Sequence, residues 1–377
     1  MLTGRMPSET GVYRNELAIR PEIPNLGQWF AQKSAYETVY VGKWHIPEVH
    51  TYNIPGFRVL AAGLDHRGDV SDACVSRACE GFLLNRRATN PFLMVASFIQ
   101  PHDICNWLRL NVLRKDTLPF AELQGELPDL PQNFEFDPME PDGLKWMRDN
   151  AMEPTHGKWD RADWAYYLWS YYRMVEMVDA EIGRILEALR RTPYADNTLI
   201  VFTSDHGEGV AQHRLERKNY LYESAIKVPF VATWPGHIKE DVTDSNHLVS
   251  SIDIVPTLCD YAGFDPPPGM VGRSLRPVLE GDSTEWRTSI VVQLGQQFTA
   301  RALRSQRYKY VAYADDSVEQ FFDLKADPGE MHNLAANPEY TGTLKEHRQM
   351  LYECESQLNP SPDVPYADYW RRKDAQA

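Results

Sequence analysis

The chain has 377 residues, 43% of them hydrophobic, and its 39 Lys and Arg against 53 Asp and Glu give a formal net charge of -14. That balance excludes the broad basic footprint of a general nucleic-acid binder, and no apolar run is long enough for a transmembrane helix. The size suits one large α/β domain with an appendage, or two ordinary domains.

Residues 1–26 are turn-rich, with Pro7, Gly11, Pro21 and Pro24 interrupting any regular element. The first seven residues carry no basic segment followed by an apolar core, so no signal peptide is expected in this sequence, which begins like the middle of a domain. Leu26, Trp29 and Phe30 then predict a short helix capped near Asn25. Residues 38–41 predict a strand that ends in Gly42-Lys43-Trp44-His45.

A helical pattern covers residues 70–84, and the nearly continuous apolar run 91–99 suits a strand covered on both faces. It leads into Gln100-Pro101-His102-Asp103. Residues 110–157, rich in prolines and acids, read as a long excursion over the active-site side. The clearest helix spans 160–191, where Trp164, Leu168, Tyr171, Val175, Val178, Ile182, Ile185 and Leu189 form an apolar stripe.

Residues 198–202 predict a strand running into Thr203-Ser204-Asp205-His206-Gly207-Glu208, and 228–234 predict another. A helix over 251–263 follows, stopped by Gly263 and the prolines at 266–268. From Arg287 the texture changes to short strands at 289–294, 301–303, 308–313 and 321–324, then a polar helix over 340–358. The expected fold is α/β: a mostly parallel central sheet flanked by helices, with a small C-terminal antiparallel sheet and helix. The expected domains are residues 1–286 and 287–377.

Cys74, Cys79, Cys105, Cys259 and Cys354 are sparse and irregular, without a Cys-x-x-Cys pair, and are expected to be mainly buried thiols. Three predicted strands end in chemistry-bearing groups: Lys43 with His45, His102, and Asp205 with His206, while Lys218 follows on the next loop. Each has an ordinary reading alone, as a turn cap, a core histidine or a solvated lysine. Together, at one edge of a parallel sheet, they predict a cation-rich pocket around a metal, suited to sulfate or phosphate.

Leu2-Thr3-Gly4-Arg5, the stretch from Tyr36 to His45, Pro101-His102-Asp103, the stretch from Thr203 to Glu208 with Lys218 and Tyr222-Glu223, and Phe322-Asp323-Leu324 with Asp327-Pro328 and Asn333-Leu334 occur in that order. In this the sequence resembles the sulfatase family of the alkaline phosphatase superfamily. The resemblance implies an alkaline phosphatase-like fold and hydrolysis of an organic sulfate ester, with a sulfated carbohydrate as the expected substrate. It implies Asp205 and His206 as two of four ligands to a divalent metal, expected to be calcium. Many relatives carry Asn at the second position, and an imidazole there leaves room for another divalent ion. Lys43 would hold the nucleophile's oxyanion and a sulfate oxygen, and His45 would act as base on the covalent intermediate. His102 and Lys218 would face the leaving oxygen and the sulfate.

The family's nucleophile is a formylglycine made from a Cys/Ser-x-Pro-x-Arg motif that precedes Leu-Thr-Gly-Arg. No such motif occurs in residues 1–377, so formylglycine is expected only upstream, together with a first strand bearing two aspartates. Ala35 also departs from the family's usual Gly. Two alternatives stay open: a phosphate or phosphonate ester hydrolase of the same superfamily, and an inactive truncated homologue. The expected partner is a small-molecule or oligosaccharide sulfate ester, without nucleic acid or membrane, and the oligomeric state is left open. As written the chain would be cytoplasmic; a longer form with a leader would be periplasmic or secreted.

Overall fold

The computed structural model describes residues 1–47, 51–63, 67–112, 125–148, 159–282, 285–295, 299–314 and 316–372. Two short helices open the chain, α1 (Pro7–Thr10) and α2 (Leu26–Lys33). Asn25 caps α2 reciprocally: its Oδ1 accepts from the Gln28 amide, and Gln28 Oε1 accepts from the Asn25 amide, both at 3.0 Å.

The first sheet is parallel, with β1 (Glu37–Gly42) between β2 (Arg58–Ala62) and β3 (Phe92–Ser97). Helix α3 (Gly68–Asn85) crosses from β2 to β3, and α4 (Ile104–Val112) follows. Strand β2 escaped the sequence reading because it is only five residues long, without a clean alternation to mark it. Val39 and Val41 pack on Val75, Cys79 and Leu83 of α3, while Tyr40 packs on Trp44 and Ile54 on the other face. With both faces covered, β1 can be apolar throughout. Of the five thiols, all unpaired, Cys79 and Cys259 are buried and Cys74 is exposed.

After the short α5 (Asp142–Trp146) comes α6 (Arg161–Arg190), whose Asp160 cap accepts from the amides of Ala162 at 2.8 Å and Asp163 at 3.0 Å. Its apolar stripe is not buried along its whole length. Trp164 and Leu168 pack with Ile104 and Leu108 of α4, and Ile185 and Leu189 pack with α3, but Val175 between them is 40% exposed. The helix joins two separate cores, and its middle spans the distance between them. The excursion is described only in part, since residues 113–124 and 149–158 lie outside the described chain. Its described portion returns to the body through Asn133, whose Nδ2 donates to Gln212 Oε1 at 2.9 Å and to the Gly329 carbonyl at 3.0 Å.

β4 (Ile200–Thr203), α7 (Glu223–Ile226) and β5 (Phe230–Thr233) come next, and β4 pairs with β5 antiparallel. Among the described residues no ladder joins β4 to the parallel sheet, and Phe202 and Val231 are 42% and 53% exposed. Helices α8 (Ile254–Ala262) and α9 (Arg276–Glu280) lead to four antiparallel strands, β6 (Ser289–Leu294), β7 (Ala300–Ser305), β8 (Tyr308–Tyr313) and β9 (Gln320–Asp323). Helices α10 (Thr341–Ser356) and α11 (Ala367–Arg372) close the chain.

Two-residue alternation divides β8 cleanly. Tyr310 and Ala312 meet Leu344, Leu351 and Tyr352 of α10, while Val311 and Tyr313 meet Leu221 on the opposite face. Lys309 shares the second face and is fully buried. Its Nζ donates to the Leu221 carbonyl at 2.7 Å, lies 3.3 Å from Glu223 Oε1, and pairs directly with Glu330. Enclosure alone would raise the Glu223 carboxyl, but Lys309 and Arg304 hold it below its ordinary range. Replacing Lys309 with Met would leave the buried Glu330 without its cation and Glu223 with Arg304 alone. We expect Lys309→Met to lower unfolding stability by about 3–5 kcal/mol, read from denaturant titration of the whole chain. A loss below about 1 kcal/mol, the scale of an exposed pair, would refute the assignment.

Candidate active site

Strand β1 can deliver Lys43 because Gly42 bends it. Gly42 has φ +107°, and a Cβ there would lie 2.0 Å from the Ser97 carbonyl oxygen of β3; only glycine fits both constraints. That carbonyl accepts from the Lys43 amide at 2.8 Å, and the Tyr40 hydroxyl donates to the Lys43 carbonyl at 2.6 Å. With its backbone fixed on both sides, Lys43 can direct only its side chain outward. His45 lies two residues on, half-buried.

Strand β4 delivers the next groups by a similar device. The amides of Gly207 and Glu208 donate to the carbonyls of Ala225 at 2.8 Å and Ser224 at 3.0 Å. A Cβ on Gly207 would lie 2.0 Å from the Ser224 carbonyl, so this close approach also requires glycine. The His206 amide donates to Asp205 Oδ1 at 3.0 Å, and Ser204 Oγ donates to the His206 carbonyl at 2.9 Å. His206 Nδ1 lies 2.8 Å from the Gly207 carbonyl, which can only accept, so Nδ1 carries a proton and Nε2 is the nitrogen turned towards Asp205. Nε2 is 3.6 Å from Asp205 Oδ2, and Lys43 Nζ approaches the same oxygen at 3.8 Å.

Asp205 remains 59% exposed at its side chain. Partial enclosure acts to raise its carboxyl, but His206, Lys43, the His206 amide and Lys218 together hold it below its usual range. A carboxylate beside an imidazole whose Nε2 is turned towards it is a donor pair that fits a divalent cation. Among the described residues no third acidic, imidazole or thiol ligand joins them.

Lys218 lies within electrostatic reach of this pair. Its ammonium lowers the carboxyls of Asp205 and Glu208 and the thiol of Cys105, although burial is the largest influence on all three. The Cys105 amide donates to the His102 carbonyl at 3.0 Å, so the turn bearing His102 borders the same space. The structure therefore brings Lys43, Asp205 and His206 into direct contact and Lys218 within their field. For His45 and His102 the backbone position alone is fixed here, His45 two residues beyond Lys43 and His102 in the turn that leads into α4.

Sequence reasoning missed the groups that hold these in place. Tyr40 anchors Lys43, and its alternation within β1 was the only available signal. Asp72 of α3 fixes the turn before His102, accepting from the amides of Ile99 at 2.8 Å and Gln100 at 2.9 Å. Nothing local marks Asp72, because its partners lie about one helix and one strand further along.

Residues 1–264 match the family model described as Sulfatase, and residues 211–357 match that of the N-sulphoglucosamine sulphohydrolase C-terminal region. This chain belongs to the sulfatase family. It is 30% identical over 377 aligned positions to the Delta 4,5-hexuronate-2-O-sulfatase of Bacteroides thetaiotaomicron, covering 93% of this sulfatase and 76% of that one. The N-acetylglucosamine-6-O-sulfatase of the same organism is 26% identical, with 96% of this chain and 78% of that one covered. A solved 2-O GAG sulfatase superposes with a TM-score of 0.84 at 28% identity, over 98% of this chain and 84% of that one. The phosphonate monoester hydrolase of Agrobacterium radiobacter, at 21% identity and TM-score 0.77 over 94% and 84% of the two chains, shares the fold. This sulfatase is thus a sulfuric ester hydrolase by family, with an alkaline phosphatase-like fold, and its family binds a divalent metal.

Burial pushes the Asp72 carboxyl up to about 6 against its two amide donors. Because the folded value lies above the unfolded one, the folded state takes up a proton first as pH falls, and this group's contribution to stability rises below pH 6. The stability of the unaltered chain relative to Asp72→Asn is expected to increase by about 1 kcal/mol between pH 7 and pH 5. Denaturant titrations at the two pH values measure it, and a difference that stays flat or shrinks refutes the linkage.

Proposed function

We propose that this sulfatase hydrolyses an O-sulfate ester on a carbohydrate. The observation that carries the reading is the cluster at the mouths of β1 and β4, where Lys43 Nζ and His206 Nε2 both lie within 3.8 Å of Asp205 Oδ2 while the charge of Lys218 bears on the same carboxylate. Two fixed ammonium groups beside a metal-competent pair suit a group that is anionic and tetrahedral. The 2-O- and 6-O-sulfatase relatives support a sugar as the alcohol half of the ester.

In this reading Lys43 and Lys218 bind the sulfate oxygens and stabilise the charge that builds on them as the S–O bond breaks. His102 gives the departing alkoxide its proton, and His45 accepts the proton released when the sulfated intermediate collapses. Asp205 and His206 would hold the divalent ion, calcium by resemblance, which when bound polarises a sulfate oxygen as a Lewis acid. No residue of 1–377 is assigned as nucleophile.

Titration of the protein with inorganic sulfate in the presence of calcium tests the pocket without requiring turnover. Lys43→Ala and Lys218→Ala are each expected to weaken sulfate about tenfold, the scale of one charge-assisted hydrogen bond. Asp205→Asn is expected to remove the calcium-induced rise in melting temperature. Sulfate affinity indifferent to both lysines would overturn the site. Turnover that favours a phenyl phosphonate ester over sulfated disaccharides would shift the reading to the phosphonate branch of the superfamily.

A further inference from the structure

We infer that Glu208 and Tyr167 are positioning residues for Lys218. The inference rests on the reading that Lys218 faces the sulfate group, and deepens it. Between β4 and Lys218 the chain passes through an improbable loop: Val210, Ala211, His213, Arg214 and Arg217 all have left-handed backbones, with φ of 45°, 63°, 54°, 51° and 67°. L-residues disfavour that region, a β-branched one such as Val210 most of all, so five in eight positions persist only if something holds them.

What holds them is concentrated at the neck of the loop. The Gly209 amide donates to the Arg217 carbonyl at 2.7 Å, and the Tyr220 hydroxyl donates to the same oxygen at 2.8 Å. The Arg217 amide donates to Glu208 Oε1, which also accepts from the Tyr167 hydroxyl at 3.0 Å. Both polar groups of Arg217 are therefore tied down. Its carbonyl shares a rigid peptide plane with the Lys218 amide, so this clamp sets the direction in which Lys218 starts.

The clamp is also dry. Tyr167, Glu208 and Tyr220 are all buried, so water cannot replace a lost partner without entering the core. The Tyr167 hydroxyl reaches in from α6, an element that carries none of the predicted site residues. It fixes a carboxylate oxygen that would otherwise swing, and the same carboxylate feels the Lys218 ammonium. Tyr167 and Glu208 act on the anion only through Lys218.

The test is a double-mutant cycle on the whole chain, with inorganic sulfate as the probe. Tyr167→Phe, which deletes one oxygen and keeps the ring packing, is expected to weaken sulfate about fivefold, the worth of one ordinary hydrogen bond. Glu208→Gln should weaken it comparably. In the Lys218→Ala background, Tyr167→Phe should have no further effect, whereas a merely structural loss would add in either background. Full additivity overturns the inference, as does an unchanged affinity in Tyr167→Phe when Lys218→Ala is weakened. If Lys218→Ala itself binds sulfate normally, the reading of Lys218 as a sulfate contact fails, and trypsin cleavage at Arg217–Lys218 decides the clamp separately. Cleavage at least tenfold faster in Tyr167→Phe upholds the clamp, and cleavage at the unaltered rate overturns it.

Discussion

The buried ammonium of Lys309 is the constraint on which the geometry of the site depends. It is the most deeply buried of the polar groups through which the C-terminal sheet grips the segment around Leu221 and Glu223, beside Arg304 and the apolar contacts of Val311 and Tyr313. The next two residues, Ser224 and Ala225, supply the carbonyls that fix Gly207 and Glu208. A charge carried by β8 therefore helps to set where the Asp205-His206 pair sits, through a relay of one ion cluster and two backbone hydrogen bonds. Such a cation is tolerable in the interior only because two carboxylates and a carbonyl surround it. This makes the small antiparallel sheet part of the architecture of the site, whether or not it contributes a side chain to the chemistry.

The electrostatics of the cluster follow from the same economy of charge. In a chain with a formal net charge of -14, an anion is attracted only by local cations. Lys43 and Lys218 face Asp205 and Glu208, so the near field of the lysines is largely cancelled by the carboxylates that orient them. A divalent cation on Asp205 and His206 would tip that balance to positive. Metal and sulfate should then assist each other's binding reciprocally, since each offsets the charge the other brings.

Much of this was legible in the sequence because it is local. The strand ends at Gly42-Lys43 and Ser204-Asp205-His206, the Asn25 cap and the alternation of 308–313 are all written in neighbouring residues, and the motif order around them pointed to the family. What was not legible depends on contacts distant in the chain. Tyr167 meets Glu208 across 41 positions and Lys309 meets Leu221 across 88, and neither pairing leaves a periodic trace. Tyr167 was hidden further by its setting among Trp164, Tyr166 and Leu168, where one more aromatic reads as core packing. The exposed middle of α6 misled for the opposite reason: an unbroken stripe implies one continuous partner, whereas the helix rests on two cores at its ends.

Lys43 and Asp205 belong to different ladders. Lys43 ends a strand of the parallel sheet and Asp205 ends a strand of the β4–β5 pair, and among the described residues no interstrand hydrogen bond connects the two sheets. The 3.8 Å approach of their charged groups therefore spans a seam held by side chains. Packing closes that seam as well as charge, since Ile200 of β4 lies against the core that Val39 and Val41 of β1 form with α3. Any ion or ester gripped from both sides becomes a rivet across the joint, so occupancy should be felt as a stiffening of the whole molecule, far beyond the few atoms it touches.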